Sequence, residues 1–244
     1  MLAEDAAQQI IAQNLANAST TGYKEDIPLF QSFQENLVAC SDDQGASALG
    51  SLGSGSSMSG VFTDLADGPL QQTGNSLDIA MRGDAYFSVQ TGNGVMYSRD
   101  GALTLNDSGV IVQAASGLPV LDVKGRPITA LGKSHQISID TSGNVIVDGQ
   151  NDGQIGFYKI TGEDNPSKMG GNLISTSDNP VQIDPATSPL PPMISGFLEG
   201  SNVNIVKEMV TMIACSRAYE ANAKTLQAHD SIQEKAVSEV GKVG

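Results

Sequence analysis

The sequence predicts a mixed, mainly β fold: a central antiparallel β domain flanked by N- and C-terminal helices that pair as a coiled-coil-like core. Short apolar runs separated by Gly, Asn and Asp fill the middle of the chain, from about Leu77 to Ile183, which is the pattern of hairpins and not of alternating helices and strands. Two segments with helical apolar spacing bracket that middle. The composition agrees: 244 residues, 39% hydrophobic but only 5% aromatic, no Trp and 27 Gly, enough for one sizeable domain with many turns and less compact extensions.

Residues Leu2 to Asn17 read as a helix. Ala7, Ile11, Leu15 and Ala18 form one stripe, Ala is plentiful, and no Gly or Pro interrupts. Ser19-Thr20-Thr21-Gly22 stops it, because a Gly accepts the positive φ of a helix end. Tyr23 and Phe30 follow in an extended or loosely packed stretch, so residues 1–40 make one N-terminal element. Residues 41–64 are rich in Gly and Ser and carry few large side chains, and are expected to be a flexible linker or a loop that orders only in an assembly.

Residues 65–183 read as the β-rich domain, with strands expected at Ala85–Val89, Val95–Ser98, Ala102–Leu105, Val110–Val112, Pro119–Leu121, Gln136–Ile139 and Val145–Val147. Four prolines in Asp184–Pro192 make 184–200 a stiff connector. A long helix is expected over residues 201–244, opened by Ser201-Asn202 with Asn202 as N-cap. Ile205, Met209, Met212, Ser216, Tyr219, Ala223 and Leu226 alternate at four and three, a coiled-coil seam that weakens at Asp230 and Gln233 before Val237 and Val240. A short N-terminal helix is marginal in water by itself, and the C-terminal seam is the evident partner, within the chain or between chains.

The net charge of −14 is concentrated between Glu25 and Asn202; the two ends are close to neutral. An acidic middle opposes nucleic-acid phosphates and anionic lipid, whereas neutral ends can pack together. Cys40 and Cys215 are too few for a disulfide framework and read as two unrelated thiols. The chain has no apolar run of bilayer length, and its first residues are acidic where a secretory signal is basic.

Enzyme chemistry finds no support. His135 and His229 form no metal or triad motif, and no nucleophile elbow or phosphate loop occurs. Asp140, Ser142, Asn144 and Asp148 are spaced loosely like a calcium loop, but the Gly is misplaced and no Glu closes it, so hairpin turns explain them. Arg99-Asp100-Gly101 sits where a hairpin turn is expected. No catalytic residue, cofactor or metal ligand is assigned. A secreted β-rich adhesin or ligand-binding module accounts for the acidic middle but not for the paired ends; a cell-wall glycosidase needs a specific carboxylate pair that nothing singles out.

Gln13-Asn-Leu-Ala-Asn-Ala-Ser-Thr-Thr-Gly-Tyr-Lys24 at one end, and Leu198-Glu-Gly-Ser-Asn-Val-Asn204, Glu208-Met-Val-Thr-Met-Ile213 and Arg217-Ala-Tyr-Glu-Ala-Asn222 at the other, resemble the paired signatures of the bacterial flagellar rod and hook proteins. Leu77-Asp-Ile-Ala-Met-Arg-Gly83 and Tyr97-Ser-Arg-Asp-Gly-Ala102 are similar to that family as well. Leu198–Val203 and the tail Lys235–Gly241 resemble the proximal-rod branch more than the distal-rod branch. Family members usually begin several residues earlier, so the N-terminal helix is expected to be short by a turn or two.

The resemblance implies a structural subunit of the axial drive shaft for motility, in the flagellar basal body where the rod crosses the periplasm. It implies terminal helices at the core of a helical tube and passage of unfolded subunits through the flagellar type III export apparatus. Implied partners are other rod subunits, the chain itself, hook-side axial proteins and the surrounding rings; nucleic acid, small-molecule substrates and membrane insertion are not expected. The expected assembly interface comprises Ile11, Asn14, Leu15, Asn17, Tyr23, Asn202, Val203, Ile205, Met209, Met212, Tyr219 and Leu226, whose apolar members are each worth roughly 1.5–3 kcal/mol when fully buried.

Overall fold

A computed structural model describes residues 2–32, 36–42, 45–53, 55–81, 83–130, 137–160, 166–170, 172–176, 180–183 and 193–240; of these, 36–42, 45–52 and 239–240 are described by backbone only. Helix α1 is Leu2–Ala16, and helix α2 is Ile205–Val240. Between them lie β1 (Asp26–Ser32), β2 (Asn36–Asp42), β3 (Gly45–Leu52), β4 (Ser56–Thr63), β5 (Leu70–Gln72), β6 (Ile79–Met81), β7 (Ala85–Thr91), β8 (Gly94–Ser98), β9 (Leu103–Leu105) and β10 (Ile111–Gln113). Then follow β11 (Ile137–Ile139), β12 (Asn144–Val147), β13 (Gln150–Gln154), β14 (Phe157–Lys159), β15 (Ser167–Lys168), β16 (Leu173–Ser175), β17 (Val181–Ile183), β18 (Met193–Ser195) and β19 (Phe197–Glu199). The fold is thus mainly β, with antiparallel pairing and one helix at each end. The chain divides into two compact units: Met1–Ala16, Asp26–Phe62 and Asn204–Gly244 form the first, and Asn17–Glu25 with Thr63–Val203 forms the second.

In the first unit α1 buries Ala7, Ile10, Ile11 and Asn14, the i, i+3, i+4, i+7 face of an amphipathic helix. Ile10 takes the buried place expected for Leu15, which is half-buried. Residues 41–64, expected to be a linker or loop, instead supply most of the β2–β3 hairpin and all of β4, which pairs with β1. Small residues such as Ala and Ser suit a ladder held by backbone hydrogen bonds, and the hairpin spreads the ordering cost of a Gly-rich stretch over many bonds.

α2 starts later than expected. Asn204 caps it, its Oδ1 accepting from the Val206 and Lys207 amides, both at 3.1 Å. This corrects the assignment of the cap to Asn202, whose side chain is engaged elsewhere.

The second unit is built on a six-stranded sheet in the order β15-β16-β8-β7-β14-β17. Alternation along β7 sends Phe87 and Val89 to the main core with Ile79, Ile111, Val120, Val145, Ile155 and Phe157. It sends Tyr86 to the other face, with Ile160 and Ile174. The expected strand Pro119–Leu121 makes isolated bridges at Val112, Val89 and Pro127 and no regular ladder, because the adjoining Gly117 and Pro119 break regular pairing. His135 and residues 184–192 of the expected Pro-rich connector lie outside the described residues. The rest of that connector forms β18 and β19, which pair antiparallel with β6 and β5. The end of the β body is therefore sewn to its beginning.

Candidate assembly site

Within the first unit the two helices run antiparallel. Asn222 Nδ2 donates to Glu4 Oε1 at 2.7 Å, Cys215 Sγ to the Glu4 carbonyl at 3.2 Å, Gln8 Nε2 to Ser216 Oγ at 3.3 Å, and Asn14 Nδ2 to Glu208 Oε2 at 3.2 Å. Asn14 also holds the start of β1 at both backbone groups, donating to the Asp26 carbonyl at 2.8 Å and accepting from the Asp26 amide at 3.0 Å. On α2, Glu208 is buried, and Met212, Cys215, Ser216 and Ala223 are half-buried. The Asn14–Glu208 bond turns Glu208 inward and leaves Ile205 and Met209 exposed, at 44% and 48% of their surface. Tyr219 and Leu226 are exposed too, and so are Val206, Val210, Ile213, Ile232 and Val237. Cys215 is a free thiol, and burial pushes it up from its ordinary pKa. His229 is exposed on α2.

In the second unit the segment that follows α1 meets the segment that precedes α2. The Gly22 amide donates to the Glu199 carbonyl at 2.8 Å, and the Asn202 amide to the Tyr23 carbonyl at 3.3 Å. Asn202 Oδ1 accepts from the Glu25 amide at 2.6 Å while its Nδ2 donates to the Asp64 carbonyl at 3.0 Å. Gly22 has φ +66°, and a Cβ there would stand 2.7 Å from both the Arg99 carbonyl carbon and the Asp100 amide nitrogen, so only glycine fits. Asn17 closes the turn beyond α1, its carbonyl accepting from the Thr20 amide at 3.0 Å.

Arg99-Asp100-Gly101 is no exposed hairpin turn. Arg99 and Asp100 are buried, and a Cβ on Gly101 would fall 1.8 Å from the Ile79 carbonyl oxygen. Thr21 Oγ1 donates to Asp100 Oδ1 at 2.5 Å. Beside it, Glu199, 1% exposed, accepts from Lys24 Nζ at 2.6 Å, from Arg99 Nη1 at 3.2 Å and from the Gly68 amide at 2.9 Å. Arg99 Nη1 also reaches Asp67 at 2.8 Å, and its guanidinium lies 4.7 Å above the Tyr86 ring. Lys24 donates again to the Ala66 carbonyl at 2.6 Å.

Two cations and two carboxylates thus close a charge-balanced cluster that reaches solvent at Asp67, with the buried Lys24, Arg99 and Glu199 paired as buried charge requires. Burial, then the positive charge of Arg99, holds the Lys24 ammonium below its ordinary pKa. Burial disfavours the Asp67 carboxylate, but the Arg99 hydrogen bond, the Gly83 amide and the nearby cations outweigh it and lower its pKa. Burial raises the Asp100 pKa and pushes the Tyr86 hydroxyl up to about 12.

Of the expected interface residues, Ile11, Asn14, Tyr23 and Val203 are buried within their own units, and Leu15, Asn17, Asn202 and Met212 are half-buried. Ile205, Met209, Tyr219 and Leu226 are exposed. The signature residues at both ends supply much of the internal bonding. Lys24, Arg99 and Glu199, absent from the expected set, form the buried ion-paired cluster. Among the described residues no cluster of metal-ligating side chains exists and no helix is long and apolar enough to cross a membrane.

Comparisons with known proteins match these same regions. Residues 1–24 match the domain family "Flagella basal body rod protein", residues 80–147 the "Flagellar hook protein FlgE/F/G D1 domain", and residues 194–239 "Flagellar basal body rod FlgEFG protein C-terminal". The chain is 33% identical over 242 residues to the flagellar basal-body rod protein FlgG of Bacillus subtilis, covering 94% of this chain and 91% of that one. It is 32% identical over 238 residues to FlgF of Caulobacter vibrioides, covering 96% and 91%, and 32% identical over 232 residues to FlgF of Mesorhizobium japonicum, covering 95% and 90%. These relatives are named as flagellar basal-body rod proteins. Joined at the positions where its two ends interlock, the chain belongs to the flagellar basal-body rod protein family of FlgE, FlgF and FlgG.

Proposed function

We propose that this structural rod subunit polymerises through its two terminal helices, which pair as a coiled-coil-like core of the axial drive shaft in the flagellar basal body. The observation that carries the reading is the apolar surface of α2 left uncovered by α1. Ile205, Met209, Tyr219 and Leu226, with Val206, Val210 and Ile213, stay at least 41% exposed although the helix is regular. Burying them against neighbouring copies and adjoining rod or hook-side proteins supplies the driving force of assembly. The buried members of the expected interface, Ile11, Asn14, Tyr23 and Val203, hold the ends in shape for it. Delivery through the flagellar type III export apparatus belongs to this reading.

Within the family, the proximal FlgF position is supported by Leu198-Glu-Gly-Ser-Asn-Val203 and the tail Lys235–Gly241. Relatives named FlgG and FlgF match to nearly the same degree, so the distal FlgG position is the second reading. Met209→Asp and Leu226→Asp test the assembly surface: the isolated chain should keep its circular dichroism and melting, and cells carrying the variants should build no complete rod. Normal rods from both variants would refute the proposal. Basal bodies from cells lacking the protein separate the two positions: rods ending near the inner membrane indicate the proximal one.

A further inference from the structure

The β7–β8 hairpin turns at Gly92-Asn93, between the paired residues Thr91 and Gly94. Asn93 is the only Asn in the sequence that precedes a Gly. Thr91 holds the backbone of the turn: its Oγ1 accepts from the Asn93 amide at 3.3 Å and donates to the Gly94 carbonyl at 2.7 Å. Asn93 itself is exposed, and its side chain makes no hydrogen bond to any described residue.

Other asparagines are engaged or crowded. Asn75 Oδ1 accepts from the Leu77 amide at 3.3 Å, and its Nδ2 donates to Asp78 Oδ1 at 3.0 Å. Asn106 Oδ1 accepts from the Ser108 and Val110 amides at 3.0 and 2.9 Å, and Asn151 Oδ1 from the Gly153 amide at 3.1 Å. Asn144 precedes Val145, whose branched side chain hinders approach of its amide. A backbone nitrogen reaches the preceding Asn side chain most freely when its own residue is Gly, because no Cβ stands in the way. Thr91↔Gly94 is also the last pair of the β7–β8 ladder, so the Gly94 nitrogen leaves the ladder at lower cost than any pair further in.

We propose that Asn93 is a deamidation site of the folded chain. The Gly94 nitrogen forms a bond to the Asn93 side-chain carbonyl carbon, the bond from that carbon to its amino group breaks, and ammonia leaves with the Gly94 amide proton. Water then adds across either carbon–nitrogen bond of the resulting succinimide and gives aspartate or isoaspartate. The product carries one more negative charge on a chain whose net charge is −14. Isoaspartate lengthens the backbone by one carbon, and the tip has room for it: a Cβ on Gly92 or Gly94 would meet nothing within 4 Å. The pairs Gln90↔Val95 and Val89↔Met96 lie behind the turn and keep the hairpin in register.

The test is incubation of the full chain at mildly alkaline pH, at a temperature where circular dichroism shows it folded. Trypsin then releases Gly83–Arg99, in which Asn93 is the only Asn, and Asp100–Lys124, in which Asn106 is the only one. The first peptide should exchange its amide for a carboxyl group about tenfold faster or more than the second. A more acidic species should accumulate on isoelectric focusing, with the melting temperature of the parent. In Asn93→Gln, whose side chain would have to close a larger and slower-forming ring, that species should be lost. Equal conversion of the two peptides, or an undiminished acidic species in Asn93→Gln, overturns the proposal.

Discussion

Replacing Glu199 by Gln should be among the most destabilising single changes in the β body. The carboxylate is 1% exposed and receives Lys24, Arg99 and the Gly68 amide. Gln keeps the shape and one acceptor but removes the charge, leaving two buried cations to face each other. Removing one partner of a buried pair costs about 3–5 kcal/mol. The lower end applies here, because Lys24 retains the Ala66 carbonyl and Arg99 retains Asp67, whose side chain is 45% exposed and so partly solvated. A loss of about 3 kcal/mol lowers the melting temperature by roughly 6–12 °C in a domain of this size. Thermal and urea unfolding measure it. The double variant Glu199→Gln with Lys24→Met removes one charge of each sign and should recover part of the loss, so the two changes should couple by more than about 1 kcal/mol. A Glu199→Gln protein within about 1 kcal/mol of the parent, or strictly additive effects, would refute the claim that this cluster ties the two ends together.

Tyr86 gives a prediction of opposite sign. Its hydroxyl is buried and has no hydrogen-bond partner among the described residues, so Tyr86→Phe should leave stability unchanged or raise it by up to about 1 kcal/mol in urea unfolding. Because the folded pKa lies near 12 against an ordinary 10.0, the folded state keeps a proton that the unfolded state gives up. Tyr86 should therefore cost stability as pH rises from 10 towards 12, and Tyr86→Phe should remove that loss from alkaline melts. Gly22→Ala meets both the positive φ and the 2.7 Å approach to the Arg99 backbone; it should cost at least the ~1–2 kcal/mol of the left-handed conformation, read as a lower melting temperature. Asn14→Ala strips three buried bonds and should cost about 2–4 kcal/mol, read by faster proteolysis within α1, while Asn14→Asp loses the donor and sets a second carboxylate against Glu208.

Regular elements were legible where local pattern decides them. The α1 stripe, the hairpins from β7 to β12 and the length of α2 follow from spacing and turn residues. Boundaries moved where a side chain had a distant partner. Asn202 and Asn204 look alike as caps, and the choice between them falls to Asn202's bonds with Glu25 and Asp64, which lie far away in sequence. The Ala- and Ser-containing hairpin β2–β3, and β18 and β19 beside a Pro-rich stretch, went unread because composition reports propensity while ladders are made by partners. At the site, the end motifs pointed to Asn14, Tyr23 and Asn202. They did not show that Lys24 and Arg99 share Glu199, since a buried ion cluster leaves no periodic trace. The one available signal was chemical: the chain has only 13 Lys and Arg, and Lys24 and Arg99 are among the four that stand in signature motifs.

The bonds between residues 22–25 and 199–202 also have a mechanical meaning. A load that enters the β body along the chain at Asn17 and leaves at Val203 passes first through Gly22–Glu199, Tyr23–Asn202 and the Lys24–Glu199 pair. These links short-circuit 173 residues of intervening chain between Glu25 and Glu199. Tension passed along the chain through the ends meets this clasp before it reaches the strands β7 and β14 that carry Phe87 and Phe157.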